Sequence, residues 1–174
     1  SIAGTITLLH AMALEADGQL AEARTAFETF EPVARTTFPG GTELAWTLGG
    51  LARARLHQQR AEDAAKLLEE ALAMLESSYG PTSLELAPTL VDLGAALFAA
   101  GRPRPEGPLE RVLAMAAQEQ ADPLLVAEAR FTLAEILRQR DPARSAQLEG
   151  EALAVTRASP YPRAARLTER WTPR

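Results

Sequence analysis

Residues 43–72 read ELAWTLGGLARARLHQQRAEDAAKLLEEAL. Small and apolar side chains recur at Leu48, Leu51 and Ala52, and again at Ala64, Leu68 and Ala71, on either side of a polar Gln58-Gln59-Arg60 turn. Steps of three and four residues place side chains on one face of a helix, so the stretch predicts two helices joined by a short turn. The same pair of helices recurs along the chain. Glu43-Leu44-Ala45 returns as Glu85-Leu86-Ala87, an offset of 42, and Leu51-Ala52 returns as Leu93-Gly94 and then as Leu133-Ala134, offsets of 42 and 40. The second half of the unit, Leu68-Glu69-Glu70-Ala71-Leu72, has counterparts in Leu109-Glu110-Arg111-Val112-Leu113 and Glu149-Gly150-Glu151-Ala152-Leu153. An earlier copy runs from Ala11 and Leu14 through Asp17-Gly18-Gln19 to Ala23 and Phe27.

Pro39-Gly40-Gly41, Gly80-Pro81 and Asp122-Pro123 separate the units. The expected helices are 3–16, 19–37, 43–58, 61–78, 84–100, 106–120, 123–139 and 143–157, with a last short helix at 162–171. The whole chain, 1–174, reads as a single domain of units at about 3–41, 42–82, 83–122 and 123–158, with a cap at 160–172. The stretch 101–108 holds three prolines and two glycines and is expected to form a longer, looser turn without helix.

Composition agrees with an all-α chain. Hydrophobic residues make up 47% of the 174 residues and aromatics 5%, with alanine dominant. Alanine is the best helix former and leaves room for close approach of helices. Without cysteine, disulfides and thiolate chemistry are excluded. No apolar run reaches the roughly 18 residues that span a bilayer, and no basic-then-apolar leader opens the chain. A cytoplasmic protein is expected, and the missing initiator Met leads us to expect a piece of a longer one. The net charge of −5 divides unevenly: residues 157–174 hold five arginines and one acid, and the remainder holds 13 basic and 22 acidic residues. So acidic a body is a poor match for nucleic acid.

Catalytic and metal-binding patterns are missing. His10 sits in an apolar helix and reads as a core histidine, and His57 closes a helix, where a cation suits the dipole. No His-Glu-x-x-His spacing or third ligand accompanies either, so no metal or other cofactor is expected. Pro39-Gly40-Gly41 and Gly49-Gly50 lack a phosphate-loop context. The first reads as a linker and the second as a place for close helix contact. Ser77, Ser78 and Ser83 fit helix ends. Glu62-Asp63 and Glu69-Glu70 fit solvated helix faces. The chain is not expected to be an enzyme.

The unit Leu48…Leu51-Ala52…Ala64…Leu68…Ala71 resembles the tetratricopeptide repeat, in which small residues sit where paired helices touch. The family's usual period is 34. The longer period here, and Ala71-Leu72-Ala73-Met74-Leu75-Glu76…Tyr79-Gly80-Pro81, look like the long variant of kinesin light chains and of many bacterial signalling proteins. The segment from Asp122-Pro123-Leu124 to Trp171 is similar to the C-terminal repeat regions of bacterial, notably myxobacterial, serine/threonine protein kinases.

The resemblance implies a right-handed tetratricopeptide-like superhelix of four antiparallel helix pairs plus a C-terminal capping helix. It also implies a protein–protein interaction scaffold that binds a peptide or helix in its concave groove, as part of a bacterial signalling protein. The alternative is a regulatory domain that senses a peptide or small molecule. Self-association is a further possibility, because truncated repeats leave apolar ends. On the family pattern the first helices place Met12, Glu15, Trp46, Arg53, Leu56, His57, Val91, Ala95, Phe98, Phe131, Glu135 and Arg138 on the concave face. Several have a structural alternative. Phe98 and Phe131 can pack against neighbouring helices, Trp46 can be core or rim, and Arg53, Glu135 and Arg138 can be solvated or paired. The carboxylate clamp that grips chaperone C-termini needs a Lys–Asn pair, and its positions hold Leu8 and Met12, Gly49 and Arg53, Val91 and Ala95, and Phe131 and Glu135. In the tail, Ala164, Leu167 and Trp171 share one helix face and Arg163, Arg166 and Arg170 another, the latter either a solvated stripe or an anion site.

Overall fold

A computed structural model describes residues 2–171, which contain nine α-helices and no strand. The helices are α1 (Ile2–Ala16), α2 (Leu20–Thr37), α3 (Thr42–His57), α4 (Ala61–Tyr79), α5 (Ala87–Ala99), α6 (Glu106–Ala116), α7 (Pro123–Leu137), α8 (Pro142–Ala158) and α9 (Pro162–Trp171). Consecutive helices pair as hairpins, α1 with α2, α3 with α4, α5 with α6 and α7 with α8. Each second helix then packs on the next first helix, and the first helices α1, α3, α5, α7 and α9 touch in succession. The result is a tetratricopeptide-like stack of four helix pairs.

Local chemistry sets the helix ends. The Asp122 carboxylate accepts from the Leu124 N–H at 2.9 Å and the Asp141 carboxylate from the Arg144 N–H at 3.0 Å, so both start-of-helix donors are satisfied. Each aspartate precedes a proline at the first helical position, where a missing N–H costs nothing. Helix α5 begins three residues later than expected. A 3-10 turn spans Leu84–Leu86, capped by the Ser83 hydroxyl, and Pro88 is accommodated in the first turn. Helix α6 is shorter than expected and stops at Ala116. It also extends into the proline-rich stretch. Gly107 and Pro108 lie in its first turn, where N–H groups have no helical partner to lose, so only residues 100–105 form the turn. Gly101 and Arg104 reverse the chain there with φ of 67° and 55°.

Small residues let the helices approach. Ala52 of α3 and Ala64 of α4 are both fully buried in one cluster with Leu68, Leu93 and Leu97. The Ser145 hydroxyl donates to the Ala134 carbonyl at 2.7 Å across the last hairpin. At Gly50 a Cβ would lie 2.4 Å from the Phe27 ring, so this glycine is required by the contact between the first two units. Gly49 has no such constraint, since its nearest neighbour is the end of the Arg53 side chain. A continuous core runs from Leu8 through Phe27, Leu48, Leu75, Leu90 and Leu133 to Leu148. Each fully buried leucine contributes about 1.5–3 kcal/mol of transfer free energy.

Two expectations change. His10 is exposed on α1 and is no core residue, because the face of α1 that carries it has no helix against it. The tail helix, whose Ala164–Leu167–Trp171 seam is expected to dock near Leu148 and Leu153, docks through Ala164 and Leu167 onto Leu124 and Val155, while Leu148 belongs to the central core. Trp171 packs with Ala127, Phe131, Ala152 and Leu153. Thus α9 takes the place of a fifth first helix: it contacts α8 and α7 as α7 contacts α6 and α5. Residue 172 of the expected cap lies outside the described residues.

Candidate functional site

The first helices carry one line of charge through an otherwise apolar layer. Arg53 of α3 donates through Nε and Nη2 to the two carboxylate oxygens of Glu15 on α1, at 2.6 Å each. Its Nη1 donates to Asp92 of α5 at 2.9 Å. One guanidinium therefore ties three successive first helices. The planar fork of arginine suits this and lysine does not. Farther along, Arg163 of α9 donates to Glu128 of α7 at 3.0 Å and to Asp122 at 3.2 Å, and Arg170 stands 4.0 Å from Glu128.

Burial shifts these groups. It would lower the Arg53 pKa, but Asp92 and Glu15 outweigh it and hold the guanidinium above its ordinary value. The Asp92 side chain is 21% exposed. Its burial pushes the carboxyl above the usual carboxylate range. Arg53 opposes the rise, and Glu128 and Glu15 add to it.

Above this line lies a cavity of about 240 Å³, walled by Arg53, Leu56, His57, Val91, Asp92, Ala95, Glu128, Thr132 and Arg170. It spans α3, α5, α7 and α9. A second opening of about 510 Å³ is bordered by Ala16 and Asp17 at the first hairpin turn and by Tyr161, Arg163 and Arg166 at the other end of the stack. The first unit and the tail helix therefore flank the same face.

The residues expected on the concave face divide into three sets. Arg53, Leu56, His57, Val91 and Ala95 line the central cavity. Met12, Trp46, Phe98 and Arg138 are exposed, and Glu135 is half-buried in an ion pair with Arg138 at 3.5 Å, none of them on the wall of that cavity. Glu15 is bound to Arg53. Val91 and Phe131 are both buried, and for Phe131 this is the packing alternative. They are 4% and 1% exposed, because adjacent first helices close over this position and Trp171 stacks on Phe131. The reading from sequence missed Asp92, Glu128 and Thr132, and placed Arg170 in the tail stripe without bringing it to this cavity. A signal for Asp92 was present: Glu15, Arg53 and Asp92 are charges of alternating sign, spaced 38 and 39 residues apart, and Glu15 and Asp92 are the only charged residues of α1 and α5.

The arginine stripe divides as well. Arg163 is paired, Arg170 lies over the Trp171 ring at 5.2 Å from its centroid, and Arg166 borders the end opening. No group of three potential metal ligands occurs among the described residues, and no described helix is long and apolar enough to cross a membrane. The cavity can hydrogen-bond, pair charge and bury small apolar groups.

A profile of the tetratricopeptide repeat family matches residues 3–77 and 43–105, together more than half of the chain. Among solved structures, BtubC (BKLC) from P. vanneervenii superposes with a TM-score of 0.75 at 20% identity, over 91% of this chain and 66% of that one. The chain thus spans about two thirds of that protein's length. A Podosopora anserina protein described as a kinesin light chain with nearly identical TPR-like repeats is similar in two forms. The TM-scores are 0.70 and 0.64, at 18% and 17% identity, over 95% and 97% of this chain and 84% and 76% of those. At these identities the likeness is one of fold. No curated protein sequence matches.

Proposed function

The chain belongs to the tetratricopeptide repeat family, and from that premise we propose that its concave face binds a peptide or helix of a partner protein. Repeats of this family are generally protein–protein interaction scaffolds without catalytic activity. The observation that carries the proposal is the central cavity of Leu56, Val91, Ala95, Asp92 and Glu128, flanked by both ends of the stack. Its chemistry favours a segment that places a small apolar side chain against Val91 and Ala95 and polar groups toward the paired charges of Arg53, Asp92, Glu128 and Arg170. A context in bacterial signalling, in the cytoplasm and within a larger protein rests on the resemblance of residues 122–171 to kinase repeat regions. The acidic body argues against nucleic acid as the partner.

Selection of binding peptides from a random library, followed by titration calorimetry, tests this. Ala95→Arg fills the cavity and should abolish binding of the selected peptides while leaving the helical content unchanged. Binding that survives Ala95→Arg would overturn the placement. A second reading, a sensor of a peptide or small molecule, is favoured by the shared opening between Asp17 and Arg166. Self-association is a third, favoured by exposed Ile6 and Leu9 on α1.

A further inference from the structure

The second helices are tied to one another by a charged rung that recurs with the repeat. Arg35 of α2 donates to Glu70 of α4 at 2.7 Å, and Arg111 of α6 donates to Glu76 of α4 at 2.5 Å. The paired positions advance along the chain, 35 with 70, then 76 with 111, and next 117 with 151. At the third rung they hold Ala117 and Glu151, and an alanine cannot bridge. Helix α6 also stops at Ala116, one turn short of the register in which α4 runs on to Tyr79.

A second departure from the repeat lies beside the first. Arg130 of α7 holds the position of Leu48 and Leu90, which are 0% and 1% exposed. An arginine thus takes the place of a core leucine, and its side chain is still only 27% exposed. With the bridging side chain missing and the leucine replaced, a partly open cavity of about 240 Å³ lies between α6, α7 and α8. Arg130, Arg144 and Glu151 charge its wall, and Leu113, Val126 and Leu148 give it an apolar side. It has no residue in common with the concave cavity.

The wall carries two cations and one anion. Both oxygens of that anion are engaged: Glu151 accepts from Gln147 Nε2 at 2.9 Å and stands 3.0 Å from Arg130 Nε. A guanidinium carries five N–H donors. Arg130 meets Glu151 through Nε, and Arg144 is held by Glu110 through Nη2 at 3.2 Å, so each has terminal N–H groups for a further acceptor. A carboxylate matches them, because its two oxygens fit two parallel N–H groups of an arginine. The cavity of 240 Å³ admits about eight water-sized groups at roughly 30 Å³ each. We propose that it is a second binding site, for a small carboxylate with a short branched apolar chain. That is the chemistry of a free aliphatic amino acid or of the last residue of a peptide. Arg130 and Arg144 hold the carboxylate, and the chain rests on Leu113, Val126 and Leu148.

Isovalerate, leucine, N-acetyl-leucine and leucine amide, each titrated into the isotope-labelled chain and followed by amide chemical shifts, test this. The three carboxylates should give saturable shifts in α7, α8 and the end of α6, with dissociation constants in the millimolar range set by so few atoms. Leucine amide, without the carboxylate, should give none. Tighter binding of leucine than of N-acetyl-leucine would identify a free amino acid as the ligand, and the reverse order a peptide C-terminus. Arg130→Leu restores the residue of the other units, so the chain should stay folded while its affinity for isovalerate falls by more than about 10-fold. Ala117→Glu, at an exposed position, should also abolish binding by placing the chain's own carboxylate beside the two arginines. Peptides selected at the concave cavity should bind Arg130→Leu as tightly as the parent, which separates the two sites. The proposal is overturned if no carboxylate gives saturable shifts at millimolar concentration, if leucine amide binds as well as isovalerate, or if Arg130→Leu binds isovalerate like the parent.

Discussion

Phe131 of α7 and Trp171 of α9 lie face to face, with ring centroids 5.8 Å apart and planes 4° from parallel. They are 40 residues apart, the repeat offset of the last units, and they extend a line through Gly49 and Val91 along which successive first helices touch. The stack makes the tail helix part of the solenoid. A helix of ten residues is marginal alone in water and persists here because Ala164, Leu167 and Trp171 are packed.

Trp171→Ala should therefore release α9 and lower the melting temperature, at a cost of about 1–3 kcal/mol, below the full-core value because the ring is half-buried. Hydrogen exchange should quicken in α9 and at the end of α7 and stay unchanged in α1 and α2, since repeats couple to their neighbours. Protection lost evenly along the chain would contradict this.

Arg53→Ala leaves Glu15 and Asp92 facing one another without their common partner. A loss of about 2 kcal/mol in denaturant unfolding is expected, given that hydrogen bonds to charged groups contribute ~1.5–3 kcal/mol. Arg53→Lys should recover only part, because an ammonium cannot hold Glu15 through two bonds and Asp92 through a third. Full recovery with Lys would reduce the triad to simple charge balance.

Asp92 gives a dependence on pH whose sign is set by its raised pKa. The folded chain holds the Asp92 proton more firmly than the unfolded chain. This group's contribution to stability is therefore complete below the ordinary carboxylate pKa and is lost as pH rises through the raised one. Asp92→Asn removes the titration. The stability of the variant relative to the parent should grow from pH 4 toward neutrality, measured by urea unfolding at each pH. A relative stability that falls over this interval would contradict the burial argument.

Gly50→Ala would set a methyl group 2.4 Å from the Phe27 ring, which is itself buried. Overpacking of this kind costs about 1–3 kcal/mol. Phe27→Leu in the same chain should restore part of the loss, so a double-mutant cycle is expected to show favourable coupling. Gly49→Ala, whose methyl group would make only an ordinary 3.7 Å contact with the end of the Arg53 side chain, serves as the control and should be close to neutral.

A peptide ending in EEVD is expected not to bind. The clamp positions hold apolar residues, glycine, Arg53 and Glu135, and no Lys–Asn pair. The one cation among them, Arg53, is already occupied by Glu15 and Asp92. Micromolar heats in titration calorimetry would contradict this.

The hairpins were legible before any coordinates. Leu51-Ala52, Leu93-Gly94 and Leu133-Ala134 recur because every unit meets the same packing problem, and small residues at the helix contact solve it the same way each time. Prolines and glycines marked the boundaries, since their backbone constraints act locally. What the repeat pattern could not assign was the fate of the remaining first-helix positions. Val91 and Phe131 hold one repeat position in α5 and α7, and neighbouring helices bury both. Arg53 reads as a surface cation until α1 and α5 bring Glu15 and Asp92 to it from 38 and 39 residues away. His10 read as core in an apolar helix and is exposed, because burial depends on whether another helix lies alongside. The sequence by itself determined which residues must lie close to the next helix. Which charges meet, which aromatic rings are covered and which apolar face is left open was decided only when the hairpins stacked, because each depends on contacts between units and not on the period within one.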